Sequence, residues 1–237
     1  MRVTYYGYNA FAIESDNILV IIDPGMNLDW KHLRSLVPPE RWKSASHVMV
    51  THGDVDHARY AEQVARVAKA PIICGQALAG RWLSTGVEVH RVSPGDRREI
   101  GGLKVVGVPV QHGPVLRIRG YHISAKPPWV GVGAVGFLIT IRNRSILNLG
   151  DSVMLKKVWS GMEPELLMVP TGGVMTMDVD QALAAVDVIQ PKIVIPMHYD
   201  WHLLLYHHRI NMSRFNNEVE ERGLSCFVLE RNESVNL

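Results

Sequence analysis

Four apolar runs in this chain each end in residues that can bind a metal, and this layout restricts the fold more than any other feature. The run His47-Val48-Met49-Val50 leads into Thr51-His52-Gly53-Asp54-Val55-Asp56-His57. A strand expected over 103–110 leads into Gln111-His112, strands over 135–141 and 145–149 lead into Gly150-Asp151, and a strand over 192–196 leads into Pro196-Met197-His198. Rigid strands aim the loops that follow them at one edge of a sheet, which is where sites are built. The layout therefore favours a sheet-based fold whose ligand-bearing loops share an edge.

The loop from His52 to His57 packs two imidazoles and two carboxylates into six residues. Imidazole and carboxylate together bind zinc, manganese or iron. Such an ion with an open position lowers the pKa of bound water from about 15.7 to about 7. A loop whose acids merely cap a helix starting near Ala58 needs one Asp and no flanking histidines. Taken singly, His112, Asp151 and His198 each read as a hydrogen-bonded turn residue. In this order, after this loop, they are strong evidence for a metal centre.

Around these landmarks the chain reads as alternating strands and helices, as in a sheet covered by helices. Strands are expected at 2–8, 10–14, 18–22, 71–74, 87–92, near 166–169 and at 224–229. Helices are expected near 29–36 and at 58–69, 76–84, 180–189 and 213–222. The 237 residues, 47% of them apolar, fit one large domain or two small ones; no linker or low-complexity run divides them, so one domain over 1–237 is expected. Twenty-five basic and 23 acidic residues are mixed along the chain, which argues against a nucleic-acid partner. The longest apolar run, Ile18 to Ile22, is far short of the roughly 20 residues of a membrane span, and Arg2-Val3-Thr4-Tyr5-Tyr6 starts as a strand, so neither a membrane segment nor a signal peptide is expected. Cys74 and Cys226 sit in apolar runs as small hydrophobes, which favours a reducing cytoplasm.

The order of ligand residues resembles the metallo-beta-lactamase superfamily, whose pattern is a His-x-His-x-Asp-His loop followed by a separate His, an Asp and a final His. Ile21-Ile22-Asp23-Pro24-Gly25, Gly150-Asp151-Ser152, Thr171-Gly172-Gly173-x-x-Thr176-Met177 and the run Pro191 to Tyr199 are similar to one branch of it. That branch contains small metal-dependent hydrolases, L-ascorbate 6-phosphate lactonase among them. The resemblance implies an α/β fold, a four-layer αββα sandwich, with a binuclear site on one edge of two sheets. It implies a first ion at His52, position 54 and His112, a second at Asp56, His57 and His198, and Asp151 bridging them. Asp56 and Asp151 are the carboxylates it assigns to catalysis, with a metal-bound hydroxide attacking a small ester, lactone or phosphate-containing metabolite.

Asp54 departs from the pattern, which has His there. Two divalent ions, three carboxylates and a hydroxide leave the site neutral, one positive charge fewer than the usual set, so it should hold anions less strongly. Carboxylate oxygen is harder than imidazole nitrogen and tilts the first position towards manganese, iron or magnesium over zinc. Asp also reaches less far than His, so a single ion at Asp56, His57, Asp151 and His198 is an alternative to two. Other functional readings are a phosphodiesterase or nuclease of the same superfamily, and a metal-binding protein without turnover.

Asp23 is either a turn former or a hydrogen-bonding support for the ligand loop, and Thr51 is similar. The stretch 113–133, with Arg117, Arg119, Tyr121, His122, Lys126 and Trp129, reads equally as a lid or as an oligomer contact. The run 200–208, with His202, His207 and His208, reads as a pocket wall or a subunit contact in a homo-oligomer, and no metal is assigned to its histidines. His32, His47 and His90 are treated as ordinary. Gly131-x-Gly133-x-x-Gly136 has the spacing of a dinucleotide fingerprint but precedes a strand, the wrong context.

Overall fold

The computed structural model describes residues 1–113, 115–118, 121–124, 131–203, 206–207 and 209–237; at 115–118, 121–124, 202–203 and 206–207 only the backbone path is described. In chain order, β1 (Arg2–Gly7), β2 (Ala10–Ser15) and β3 (Ile18–Ile22) form an antiparallel meander. Next come α1 (Pro39–Trp42), β4 (His47–Val50), α2 (Val55–Ala58), α3 (Ala61–Ala68), β5 (Ile72–Cys74), α4 (Gln76–Ala79) and β6 (Val89–Arg91). The middle holds β7 (Arg97–Ile100), β8 (Leu103–Val108), a hairpin of β9 (Val115–Ile118) and β10 (Tyr121–Ser124), β11 (Gly136–Ile141) and β12 (Arg144–Asn148). The last third runs α5 (Lys156–Trp159), β13 (Leu166–Pro170), α6 (Val179–Ile189), β14 (Ile193–Met197), β15 (His202–Leu203), β16 (Tyr206–His207), α7 (Ser213–Glu221), β17 (Ser225–Cys226) and β18 (Ser234–Asn236).

Two seven-stranded sheets result, ordered β18-β1-β2-β3-β4-β5-β6 and β17-β14-β13-β12-β11-β8-β7. Each combines an antiparallel meander with a parallel run, β3 to β6 in one and β12-β13-β14-β17 in the other. The alternation along β2 and β3 shows why they stack. Phe11, Ile13, Val20 and Ile22 join one core with Phe137, Ile139 and Leu167 of the second sheet. Their neighbours Ala10, Ala12, Leu19 and Ile21 pack on the other face with Ala61, Val64 and Ala65 of α3. Successive strand side chains point to opposite faces, so a strand apolar on both faces must be covered on both. The second sheet is covered by α6, whose Ala182, Leu183, Ala185, Val186 and Ile189 are buried and whose start is closed by a capping box between Asp178 and Gln181. The layers are therefore helix, sheet, sheet, helix, as expected.

Parallel strands put their carboxyl ends at one edge. Asp23 follows β3, the His52–His57 loop follows β4, Asp151 follows β12 and His198 follows β14. Because β8 is antiparallel to β11, and β11 to β12, β8 runs in the direction of β12 and delivers His112 to the same end.

Some expected elements differ. No helix forms over 29–36: Asn27 Oδ1 accepts from the Asp29 amide and Asp29 Oδ1 from the Lys31 amide, and a β-bridge joins Met26 to Ser35. Side chains that capture local amides in this way compete with the helix ladder. The helix expected at 58–69 is two, because the Tyr60 amide donates to Pro24 O at 2.9 Å and breaks the run. The helix at 76–84 ends at Ala79 and continues as turns, and the strand at 224–229 is confined to Ser225–Cys226. β7 and β18 were not expected from the sequence. No helix among the described residues is long and apolar enough to cross a membrane.

Candidate metal centre

All seven expected residues meet at the shared edge. His52, Asp54 and His112 form one group of donors, and Asp56, His57 and His198 a second. Asp54 Oδ2 lies 3.5 Å from His52 Nε2 and 3.4 Å from His112 Nε2. Asp56 Oδ2 lies 3.7 Å from His57 Nε2. Asp151 stands between the groups: its Oδ2 is 3.7 Å from His112 Nε2 and 3.1 Å from His198 Nε2, and its Oδ1 is 3.6 Å from His57 Nε2. Donors bound at about 2.1 Å around one tetrahedral ion lie about 3.4 Å apart, so separations of 3.1–3.7 Å are short enough for each group to hold an ion.

Hydrogen bonding fixes which nitrogen of each ring faces inward. His57 Nδ1 donates to Asp23 Oδ2 at 2.7 Å, and His112 Nδ1 to Gly113 O at 3.0 Å. Thr51 Oγ1 donates to Asp23 Oδ2 at 2.5 Å and so accepts from His52 Nδ1 at 3.1 Å. Each of these rings therefore turns Nε2 towards the centre, where an ion could take the place of a proton on it. Asp23 also groups with His52 and His57 by distance, but its oxygens already accept from the Thr51 amide, the Thr51 hydroxyl, His57 and Asn9. It supports the loop rather than joining the donors, the second of the two readings above.

The Asp54 departure has a local answer. Asp54 is the residue at the start of α2 but makes no capping bond with its side chain. Its Oδ1 accepts instead from the Gly131 amide at 2.8 Å, which anchors one oxygen and turns the other towards His52 and His112. The helix-capping reading of this residue is therefore not what the side chain does.

The donor set fits a cation. His52 Nε2, His57 Nε2, Asp151 Oδ1 and both ring nitrogens of His198 are buried without a hydrogen-bond partner. Each such atom costs on the order of 1–3 kcal/mol if left unmet. The charges agree. Burial would suppress a charge on His57, yet Asp151, Asp56 and Asp23 raise its pKa well above the ordinary value. Burial would likewise keep Asp151 neutral, yet His198 and His57 hold its carboxyl well below the usual range. Burial opposes ionisation of Asp54 too, but its contacts with His52 and His112 lower it. These carboxylates demand positive charge in a place where no lysine or arginine among the described residues pairs with them.

Left-handed backbone and close approach build the edge. His198 has a positive φ of 63° and Asp23 one of 44°, left-handed conformations that are uncommon outside Gly and that Asp and His adopt more readily than most residues. The His198 amide is tied to Tyr8 O at 2.7 Å. Gly25 is required by contact: a Cβ there would lie 1.7 Å from Asp56 O.

Three contributors were not singled out in the sequence. Asn9 donates to Asp23 and accepts from Asn148 Nδ2 at 3.1 Å, while Asn148 Oδ1 accepts from the Gly150 amide at 2.8 Å. This pair links the Asp23 and Asp151 strands across the two sheets. Trp201 Nε1 donates to Asp56 Oδ2 at 3.2 Å. Its sequence signal was present, since a buried indole N–H needs an acceptor and Trp201 lies three residues after His198. His47 is an ordinary buried histidine, as expected, between Ser46 and Ile100 O. The side chains of Arg117, Arg119, Tyr121, His122, Lys126, Trp129, His202, His207 and His208 lie outside the described residues, so the lid and subunit-contact readings are not addressed.

A cavity of about 550 Å³ opens over the donors, lined by Asp54, Asp56, His112, Asp151 and His198 and walled by Leu28, Leu78, Val132, Val174 and Trp201. A larger recess of about 670 Å³ around Arg209, Asn216 and Glu230 includes none of the seven residues.

Residues 2–198 match the beta-lactamase superfamily domain. The chain is 31% identical over 241 residues to a UPF0173 metal-dependent hydrolase of Nanoarchaeum equitans, covering 100% of both chains. A UPF0173 metal-dependent hydrolase of Methanopyrus kandleri is 31% identical over 240 residues, covering 99% of each. Igni18, a metallo hydrolase from the hyperthermophilic archaeon Ignicoccus hospitalis, shares the fold with a TM-score of 0.79 at 24% identity, over 99% of this chain and 97% of that one. The chain therefore belongs to the beta-lactamase superfamily and, within it, to the UPF0173 metal-dependent hydrolases.

Proposed function

We propose that this chain, as one domain over 1–237, is a binuclear hydrolase of a small ester, lactone or phosphate-containing metabolite in a reducing cytoplasm. His52, Asp54 and His112 would hold one divalent ion and Asp56, His57 and His198 another, with Asp151 standing between the two groups. The observation that carries this reading is the Asp151 carboxylate, whose oxygens lie 3.1–3.7 Å from a histidine of each group. Manganese or iron suits the oxygen-richer Asp54 position and zinc the other, since harder donors favour harder ions.

When bound, the ions would supply a water activated near neutral pH and a Lewis acid for the oxygen that becomes negative. The remaining work belongs to the protein. Asp23, directly and through Thr51, holds the rings of His57 and His52. Trp201 restrains Asp56. The apolar wall suits an apolar substrate body, and at about 550 Å³ the cavity suits a metabolite rather than a polymer. The resemblance to L-ascorbate 6-phosphate lactonase is what brings lactones and phosphate-bearing substrates into the range.

Elemental analysis of metal per chain tests the site, run on wild type, Asp54→His and Asp151→Ala, alongside turnover of an ester, lactone and phosphodiester panel after manganese loading. Two ions in wild type and in Asp54→His, with turnover lost in Asp151→Ala, is the expected result. One ion rising to two in Asp54→His would make the natural centre mononuclear, and binding without turnover of any panel member would favour a non-catalytic protein.

A further inference from the structure

Around the donors the described wall of the cavity is apolar, with a single arginine or lysine, Arg81, at its rim. Arg81 follows α4, is exposed, and donates from Nη1 to Gly53 O at 3.1 Å. Gly53 lies between His52 and Asp54, so this guanidinium is tethered to the ligand loop itself. Its plane is steadied by Trp82, whose ring lies 6.0 Å from the guanidinium carbon and is buried. A guanidinium has five N–H donors, and among the described residues Arg81 commits one to protein. Among the described residues no partner takes the other donors, which lie at the mouth of the cavity.

Charge makes this position matter. With Asp54 in place of His, a centre holding two divalent ions and a hydroxide is neutral and offers little pull on an anion. Arg81 restores one positive charge at a distance from the reacting centre. Charge-assisted hydrogen bonds from a forked guanidinium are the usual way to hold a carboxylate or phosphate group.

We propose that Arg81 is a specificity residue and that the substrate is a small molecule with an apolar body and a terminal oxyanion, held by Arg81 while its hydrolysable bond lies at the metal centre. This rests on the hydrolytic reading above. The tether to Gly53 also gives the opposing explanation, that Arg81 only shapes the loop. Arg81→Gln removes the charge and, being shorter, the tether as well, so the two are separated by comparing an anionic with a neutral probe: a loss through the loop falls on both alike, a loss of the charge on the anionic probe alone.

The test uses manganese-loaded wild type, Arg81→Gln and Arg81→Lys with two probes, mono-4-nitrophenyl glutarate and 4-nitrophenyl butyrate. The readout is the ratio of their kcat/KM values. That ratio should fall about tenfold or more in Arg81→Gln, through KM for the glutarate ester, and recover in part in Arg81→Lys. A ratio unchanged in Arg81→Gln overturns the proposal. Calorimetric binding of glutarate and of phenyl phosphate to the same three proteins needs no turnover. Weaker binding of glutarate alone in Arg81→Gln assigns a carboxylate, and of phenyl phosphate alone a phosphate monoester. Equal binding of both in all three proteins also overturns it. If Arg81→Gln weakens binding while neither ester is hydrolysed by wild type, the hydrolytic reading of these esters fails and the anion site stands.

Discussion

Asp23 and His57, both fully buried, are joined by a 2.7 Å hydrogen bond from the ring Nδ1 to the carboxylate Oδ2. The same oxygen receives the Thr51 hydroxyl that faces His52, so one carboxylate orients an imidazole of each donor group. Asp23→Asn keeps the shape but weakens acceptance of these protons and frees both rings to flip or change tautomer. Metal affinity should fall about 10-fold to 100-fold, the usual size for a partner of a ligating histidine. Competition with a chromogenic chelator measures it. An affinity within twofold of wild type would mean that the loop backbone alone sets the rings.

Replacing Asp54 by His should change ion preference more than fold. The Gly131 amide loses its acceptor, and the first group gains a nitrogen in place of a hard oxygen. The zinc-over-manganese affinity ratio should rise about tenfold or more, because imidazole suits zinc and carboxylate suits manganese. Parallel titrations with the two metals read the ratio directly, and a ratio that stayed constant would remove Asp54 from the donor set.

Trp201→Phe isolates the indole N–H from the ring's bulk. Asp56 Oδ2 then loses its neutral donor while the cavity wall stays apolar. Loss of one such bond costs about 0.5–1.5 kcal/mol. A drop in kcat of about 3-fold to 10-fold with KM nearly constant is expected, since the change acts through the position of a donor. Equal kcat in the two proteins would reduce Trp201 to packing.

Gly25→Ala tests the close approach of two segments. The new Cβ would lie 1.7 Å from Asp56 O and 2.4 Å from the His57 amide nitrogen, and backbone cannot yield as a side-chain tip does. Destabilisation of more than about 3 kcal/mol is expected, at the upper end for overpacking. Urea unfolding of the metal-free protein gives the number; a loss below about 1 kcal/mol would show that the ligand loop is free to shift.

What the sequence disclosed, and what it hid, follows from how far each signal reaches. The strand-end positions of His52, His112, Asp151 and His198 were legible because apolar runs and the residues after them are local patterns, and the parallel sheets then brought those ends together. The αββα layering was legible through the resemblance that the ligand order carries; strands buried on both faces, such as Ala10 to Ile13, are what require it physically. By contrast, the bond between Asn9 and Asn148 spans 139 residues, and neither side chain marks its partner locally. The misplaced helix at 29–36 failed on amides captured by Asn27 and Asp29, a choice that depends on tertiary contacts such as the bridge from Met26 to Ser35. Arg81 was unremarkable in sequence because its meaning depends on Gly53, 28 residues away.

His47 supplies a pH dependence remote from the metal donors. It is buried, and its Nε2 faces Ile100 O at 3.1 Å while its Nδ1 faces Ser46 Oγ at 2.9 Å. Burial lowers its pKa below the ordinary value, and the bond to Ile100 O only partly offsets this. The folded protein therefore binds this proton less well than the unfolded chain. Stability from the neutral ring is intact above the unfolded pKa of about 6.5 and is lost as pH falls from there towards the folded pKa, by at most about 1.4 kcal/mol per pH unit. His47→Gln does not titrate. It should be less stable than wild type at pH 8 by about 1 kcal/mol through a poorer hydrogen bond, and the gap should narrow as pH is lowered from 7 to 5. Urea unfolding of both proteins in chelator, at matched ionic strength, follows the difference. A gap that stayed constant, or widened with acid, would show that His47 is not held neutral in the fold.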